Sequence, residues 1–224
     1  MDLFTLHGIP GSPYARAVLL ALEEKGAPYY FSAMRLGANR RPDYLPIHPF
    51  QKIPTLDHGE FRLYETHAIL RYIDAAAEGP ALVPDLARAA ARMDQLISFA
   101  GDYLARRVTG ILSLNRCIRP VLGVPADEQA ITDAMDPSRE VLAELDRLLG
   151  DHVYLAADTI SLADCMIAPH IGMLSEYAEG RMLLGEQPRL SAWLQRMETR
   201  ASMRATTWDA LTEKTGLDTR LPAM

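Results

Sequence analysis

Cysteine is scarce in this 224-residue chain: only Cys117 and Cys165 occur, far apart and without a Cys-x-x-Cys pair. That excludes a disulfide framework and a dithiol redox motif, and it fits a reducing compartment. Positive charge is also in deficit, with 23 Lys and Arg against 29 Asp and Glu and a net charge of −6. With no long basic run, nucleic acid is not an expected partner. No run of 18 apolar residues exists, so no membrane-spanning helix is expected. Met1-Asp2-Leu3-Phe4 lacks the basic start and apolar core of a signal peptide, which makes a cytoplasmic protein the expectation. The six histidines show no metal-ligand spacing and no His-Glu-x-x-His, so no metal is expected. A Gly-x-Ser-x-Gly nucleophile turn and a phosphate-cradling glycine loop are missing too, as are internal repeats.

What is present suits one large or two small globular domains: 49% of residues are hydrophobic and 23% charged. Leu3–His7 is short, apolar and β-prone, a first strand. A breaker-rich loop follows, Gly8-Ile9-Pro10-Gly11-Ser12-Pro13, and its last two residues start a helix, serine as N-cap and proline at the first helical position. Val18, Leu19, Leu20 and Leu22 supply that helix's buried stripe, and Gly26 ends it. Tyr29–Met34 reads as a second strand and Arg40–Phe50 as a polar connection with about one helical turn. Asp57-His58-Gly59-Glu60 between Thr55–Asp57 and Arg62–Tyr64 is a hairpin signal, and Thr66–Ala77 is a further helix.

The first 78 residues thus run βαβ then ββα, and Gly and Pro cluster between Glu78 and Asp85 as a linker. Beyond the linker the pattern is helical throughout. Leu86–Cys117, Asp127–Leu149, Ser161–Tyr177 and Pro188–Arg200 carry helical patterns. Pro137 should kink or split the second of these. Gly216–Met224 reads as a poorly tied tail. The expected fold class is therefore an α/β domain (1–78) followed by an all-α domain (86–224).

The densest chemistry lies in Gln51-Lys52-Ile53-Pro54-Thr55-Leu56 and, after the hairpin, Glu65-Thr66. A proline there suits a strand start, edge or bulge and leaves the Ile53 N–H and C=O for an extended ligand. Glu65-Thr66 opens an apolar helix, and a helix start offers N–H groups to an anion. Together with the Ser12 turn and a late capping box, Ser161-Leu162-Ala163-Asp164, these motifs fall in the order found in one family. The chain resembles the cytosolic glutathione transferases, of the bacterial, serine type, over roughly residues 2–210. It departs from the common pattern in having His48-Pro49 and Gln51 where many members have Asn-Pro and a glycine.

That resemblance implies a thioredoxin-like first domain that binds glutathione and a helical second domain that supplies the acceptor pocket. It implies Ser12 as the catalytic hydroxyl that stabilises the glutathione thiolate, with the substrate thiolate attacking a small hydrophobic electrophile. Arg16 completes a Ser-x-x-x-Arg pattern that supports the turn. Gln51 and Lys52 would meet the glycine carboxylate, Ile53 and Pro54 the peptide, and Glu65 and Thr66 the γ-glutamyl end. Pro10, Tyr14, Tyr103, Arg107, Ile111 and Trp208 are the acceptor-pocket candidates, and the Arg106-Arg107 pair favours an anionic acceptor or a developing negative charge. Asp94 is a candidate for the partner subunit's glutathione, since the family implies a homodimer. The same resemblance leaves open a glutathione-dependent isomerase or dehalogenase, and a non-catalytic binding or regulatory relative. Thiol–disulfide chemistry is disfavoured because serine, not cysteine, stands at residue 12.

Overall fold

In a computed structural model, which describes residues 2–217, the chain divides into two compact units. The first comprises residues up to Leu82 together with those from Arg200 onward; the second is Val83–Thr199.

The first unit is built on a four-stranded mixed sheet of order β2-β1-β3-β4, with β1 at Phe4–Gly8, β2 at Tyr29–Ala33, β3 at Thr55–His58 and β4 at Phe61–Tyr64. β1 pairs parallel to β2 and antiparallel to β3, which pairs antiparallel to β4. α1 (Pro13–Lys25) starts at an N-cap, Ser12, and stops at Gly26 in the left-handed region, φ 65°. Two single 3-10 turns, Ala38–Arg40 and Pro42–Tyr44, fill the connection before β3. α2 is Thr66–Ala76. This is the thioredoxin-like arrangement that the strand and helix order predicts.

α1 carries an apolar run, Ala17-Val18-Leu19-Leu20-Ala21-Leu22, whose members are at most 1% exposed. A run buried on every side is wider than the one-sided stripe of a surface helix. Its cover is the returning C-terminal segment: α1 packs on β1 and α2 and also on α9 (Ala201–Ala205). Arg200 grips Glu24 of α1 with two bonds of 2.6 Å, and Ser202 donates to the same carboxylate. Burial pushes the Glu24 carboxyl upward, but the Arg200 and Ser202 bonds outweigh it and hold the group below its usual range. α10, Trp208–Thr215, is capped by Thr207 and closed by Gly216. The expected tail lies, beyond Leu217, outside the described residues.

The second unit is helical. α3 (Ala87–Phe99) continues into a π-wound segment, Ala100–Thr109, and a second π turn, Leu114–Ile118, precedes the short α4, Arg119–Val121. The pattern predicted over Leu86–Cys117 is thus present but not regular. α5 (Glu128–Leu149) runs without a break through Pro137, so the proline does not split it. α6 is Leu162–Leu174, α7 Ala178–Gly185 and α8 Pro188–Glu198. The sequence pattern had not resolved α7.

At the centre of this unit α6 is buried along nearly its whole length, and the capping box places a charge there. Asp164, fully buried, accepts from the Leu155 N–H and Trp193 Nε1 on one oxygen and from the Ser161 N–H and hydroxyl on the other. Burial pushes the carboxyl up, and these four donors oppose it. The one side chain therefore holds the α6 start, the chain before it and α8 together. Asp164→Ala should cost about 3–5 kcal/mol by denaturant unfolding, because buried donors are left without a partner. Asp164→Asn should cost less, and a loss below about 1 kcal/mol for the alanine variant would contradict this role.

Candidate functional site

Strand register creates the site. His7, near the end of β1, faces Thr55 at the start of β3, and Thr55 faces Tyr64 at the end of β4. The segments just outside those pairs, Gly8–Ser12, Ile53–Pro54 and Glu65–Thr66, therefore emerge at one end of the sheet. Three of the predicted motifs are brought together by two residue pairs.

The Ser12 turn is closed by the Ser12 N–H to the Ile9 carbonyl at 3.0 Å. Ser12 Oγ accepts from the Ala15 N–H at 3.3 Å, so the serine is a true N-cap. Its own proton has no acceptor among the described residues and is available to a ligand. Pro10 is buried beside it, while Tyr14 is half-buried in the first turn of α1. Gly11 has φ 85°, and a Cβ there would fall 2.1 Å from the Trp208 ring. Trp208 thus lies directly against the turn that carries Ser12. Arg16 explains how it gets there: Nη2 donates to the Met203 carbonyl at 2.9 Å and Nε to Thr206 Oγ1 at 3.3 Å. The arginine is a tie for the returning segment, two residues before Trp208. The wide apolar run of α1 was the signal in the sequence that another element had to cover it.

On the second segment the Ile53–Pro54 bond is cis. Neither the N–H nor the C=O of Ile53 has a hydrogen-bond partner among the described residues. Gln51 sits at φ 52° and is spent internally. Its Nε2 donates to the Arg40 and Arg41 carbonyls at 2.8 and 3.1 Å, and its carbonyl accepts from Asn39 at 2.7 Å. Its side-chain hydrogens are therefore committed to shaping the loop. Lys52 is exposed and makes no ion pair among the described residues. Arg62 braces the same loop, giving Nη1 to the Pro46 carbonyl while its other nitrogens hold Asp57, which also receives His7 at 2.9 Å.

The third segment is the start of α2. Glu65 adopts φ 73° and offers no side-chain cap to the helix behind it. Its carboxylate is exposed and without an ion pair among the described residues, and the Thr66 hydroxyl has no hydrogen-bond partner there either.

His48 joins the second and third segments. It is 2% exposed, accepts from the Phe50 N–H at Nδ1 (3.1 Å) and packs on Tyr64 at 4.6 Å between ring centres. Burial lowers its pKa; Glu65 pulls the other way and Lys52 adds to the lowering. Both unpaired charges are thus felt at one imidazole.

The remaining candidates belong to the second unit. Asp94 is half-buried on α3. Tyr103 is 45% exposed, its ring 5.2 Å from that of Phe99, with the Arg107 guanidinium 5.6 Å from its centre. Arg107 and Ile111 line a groove against α5. Among the described residues no group of three or more His, Cys, Asp or Glu could hold a metal, and no helix is long and apolar enough to cross a membrane.

Residues 6–81 match the model of the glutathione S-transferase N-terminal domain, and residues 128–196 that of its C-terminal domain. Glutathione S-transferase F10 of Arabidopsis thaliana is 31% identical over 84% of this chain and 89% of its own. Human glutathione S-transferase theta-2B is 30% identical over 82% of this chain and 76% of its own. Among solved structures, glutathione transferase F7 from Populus trichocarpa superposes with a TM-score of 0.82 at 25% identity, covering 91% of this chain and 97% of that one. A glutathione S-transferase-I bound with lactoylglutathione gives a TM-score of 0.81 at 25% identity, over 91% and 98%.

The buried imidazole makes the site sensitive to acid. Free histidine titrates near 6.5 and folded His48 below that, so the unfolded chain takes up the proton first. The stability that neutral His48 contributes is complete above about pH 6.5 and drains away as pH falls toward the folded value. The melting midpoint of the wild type should fall more steeply than that of His48→Gln between about pH 7.5 and pH 5.5. Parallel profiles would remove His48 from this account.

Proposed function

We propose that this chain, which belongs to the glutathione S-transferase family, is a serine-type enzyme of that family that binds glutathione along one end of its sheet. The observation that carries the reading is the unpartnered peptide of Ile53, set by strand register beside a free serine proton and an uncapped helix start. An extended tripeptide thiol fits each part. Its backbone pairs with Ile53 as an added strand would. The γ-glutamyl carboxylate meets the Thr66 hydroxyl and the N-terminal end of α2, and its ammonium meets Glu65. Lys52 takes the glycine carboxylate. Gln51 shapes the loop, because its amide hydrogens are already given to Arg40 and Arg41.

Ser12 then donates a hydrogen bond from its hydroxyl to the sulfur. A hydrogen bond that favours thiolate over thiol lowers the thiol pKa, by one unit for each ~1.4 kcal/mol of preference. The thiol proton passes to solvent, the thiolate attacks an electrophilic carbon and the C–S bond forms, while either the leaving group departs with its electron pair or the π pair of an unsaturated acceptor moves to the neighbouring atom, which takes a proton from solvent. On this unit Pro10, Tyr14 and Trp208 border the sulfur and contact the electrophile. The glutathione conjugate held by the lactoylglutathione-bound neighbour supports the same class of ligand here. The reading carries with it a cytoplasmic homodimer acting on small hydrophobic electrophiles, with Asp94 directed at the partner's glutathione.

Calorimetric titration with glutathione tests the assignment. Glu65→Gln and Lys52→Ala should each weaken binding about tenfold or more, since a hydrogen bond to a charged group is worth about 1.5–3 kcal/mol. Unchanged affinity in both variants, or no saturable binding by the wild type, would overturn it.

A further inference from the structure

The loop that carries Lys52 is held in an unfavourable shape. Gln51 has φ 52°, in the left-handed region that residues other than glycine resist. A residue stays there only where its surroundings fix it, and such positions gather at functional sites. Here the surroundings are the 3-10 turn Ala38–Arg40 and the Arg41 that follows it. Asn39 Nδ2 donates to the Gln51 carbonyl at 2.7 Å. Gln51 Nε2 donates back to the Arg40 carbonyl at 2.8 Å and the Arg41 carbonyl at 3.1 Å. The Gln51 N–H closes its own turn on the His48 carbonyl at 2.9 Å. Three bonds thus clasp residue 51 to residues 39–41, and they hold the backbone where it would not rest by itself.

The bond from Asn39 also sets the direction of the next donor. A trans peptide is planar, and its C=O and N–H point opposite ways. The Gln51–Lys52 peptide is trans, so a carbonyl fixed toward Asn39 turns the Lys52 N–H to the other side of the loop. That N–H has no acceptor among the described residues, and the Lys52 ammonium makes no ion pair there. Lys52 therefore offers two donors, one fixed on the backbone and one on a flexible stem. Asn39 orients the first of them.

We propose that Asn39 is a positioning residue for the glycine end of glutathione: through the strained Gln51 it aims the Lys52 N–H at the glycine carboxylate, beside the Lys52 ammonium. The inference rests on the glutathione reading and adds to it a backbone donor and the residue that orients it. A donor already oriented strengthens binding, because the loop need not be ordered when the ligand arrives. Glycine at residue 51 would take the same φ without strain, but it could not tie down residues 40 and 41.

The test is calorimetric titration of the full chain with glutathione and with its C-terminal amide, which lacks the charge of the glycine carboxylate. Wild type, Asn39→Ala and Gln51→Gly are compared. The wild type should favour glutathione over the amide by about tenfold, the scale of one charge-assisted contact. Each variant should bind glutathione about fivefold more weakly, as expected if the freed loop visits the native geometry about a fifth of the time. The amide should lose little, so the preference for the carboxylate shrinks. Gln51→Gly should melt within about 3 °C of the wild type, since relief of the left-handed backbone offsets the lost amide bonds. The ionisation of bound glutathione should not move in either variant, because Ser12 is untouched. The proposal fails if the variants keep the wild-type preference for glutathione, or if both ligands weaken alike, as a merely structural part would make them. No saturable glutathione binding by the wild type would overturn this inference together with the reading on which it rests.

Discussion

Thr55 is the residue on which the site depends. It is fully buried and paired on both sides, with His7 of β1 and Tyr64 of β4. Side chains on a strand alternate faces, so a slip of one residue in either pairing would invert a strand and move its neighbours out of place. The register is defended by burial: Leu6 and Leu56, the next pair along, are at most 1% exposed and would be thrown to the wrong face. With those pairs fixed, the Ser12 turn, the Ile53 peptide and the start of α2 have no freedom to be elsewhere. Three segments far apart in sequence become one site through ordinary ladder geometry.

The groups at that end of the sheet are mostly unspent. The Ser12 hydroxyl keeps a proton after capping α1, Ile53 keeps both backbone groups, Thr66 keeps its hydroxyl, and Lys52 and Glu65 stand unpaired by ion pairs among the described residues. Folded proteins satisfy nearly all such groups when they are buried, so a cluster of unsatisfied ones around an open edge points to a ligand. The residues that support them are the reverse, with their donors engaged. Arg62 braces the loop through Pro46, Gln51 through Arg40 and Arg41, and Arg16 with Arg200 and Ser202 holds the C-terminal return so that Trp208 meets Gly11. Rigid neighbours around free donors are what positions a reacting atom.

Local features of this architecture were legible in the sequence. Ser12-Pro13 and Gly26 bounded α1, the Asp57–Glu60 turn gave the hairpin, and Ser161 with Asp164 gave the capping box, because each is a short-range rule with a mechanism. Long-range and geometric features were not. No local pattern says that Arg16 reaches residues 203 and 206, although the all-round apolar run of α1 hinted at a cover. The π-winding after Phe99 leaves no compositional trace, so Tyr103, Arg107 and Ile111 could be named while the groove they border could not. Gln51 fits a ligand donor by residue type, but its amide hydrogens go to the Arg40 and Arg41 carbonyls, a pairing no local pattern announces. His48 stands out in the sequence only as a departure from the family pattern, since histidine has no single role, and burial and the nearness of Lys52 and Glu65 give it one.

The central claim is that Ser12 donates a hydrogen bond from its hydroxyl to the sulfur of bound glutathione. Ultraviolet difference absorbance of glutathione titrated into the protein across pH, for the wild type and Ser12→Ala, tests it most directly. A thiolate band near neutral pH in the wild type, lost or moved to higher pH in the variant while binding persists, is the expected result. Saturable binding with the same ionisation in both proteins would contradict it, and would place the activation of the thiol elsewhere in the site.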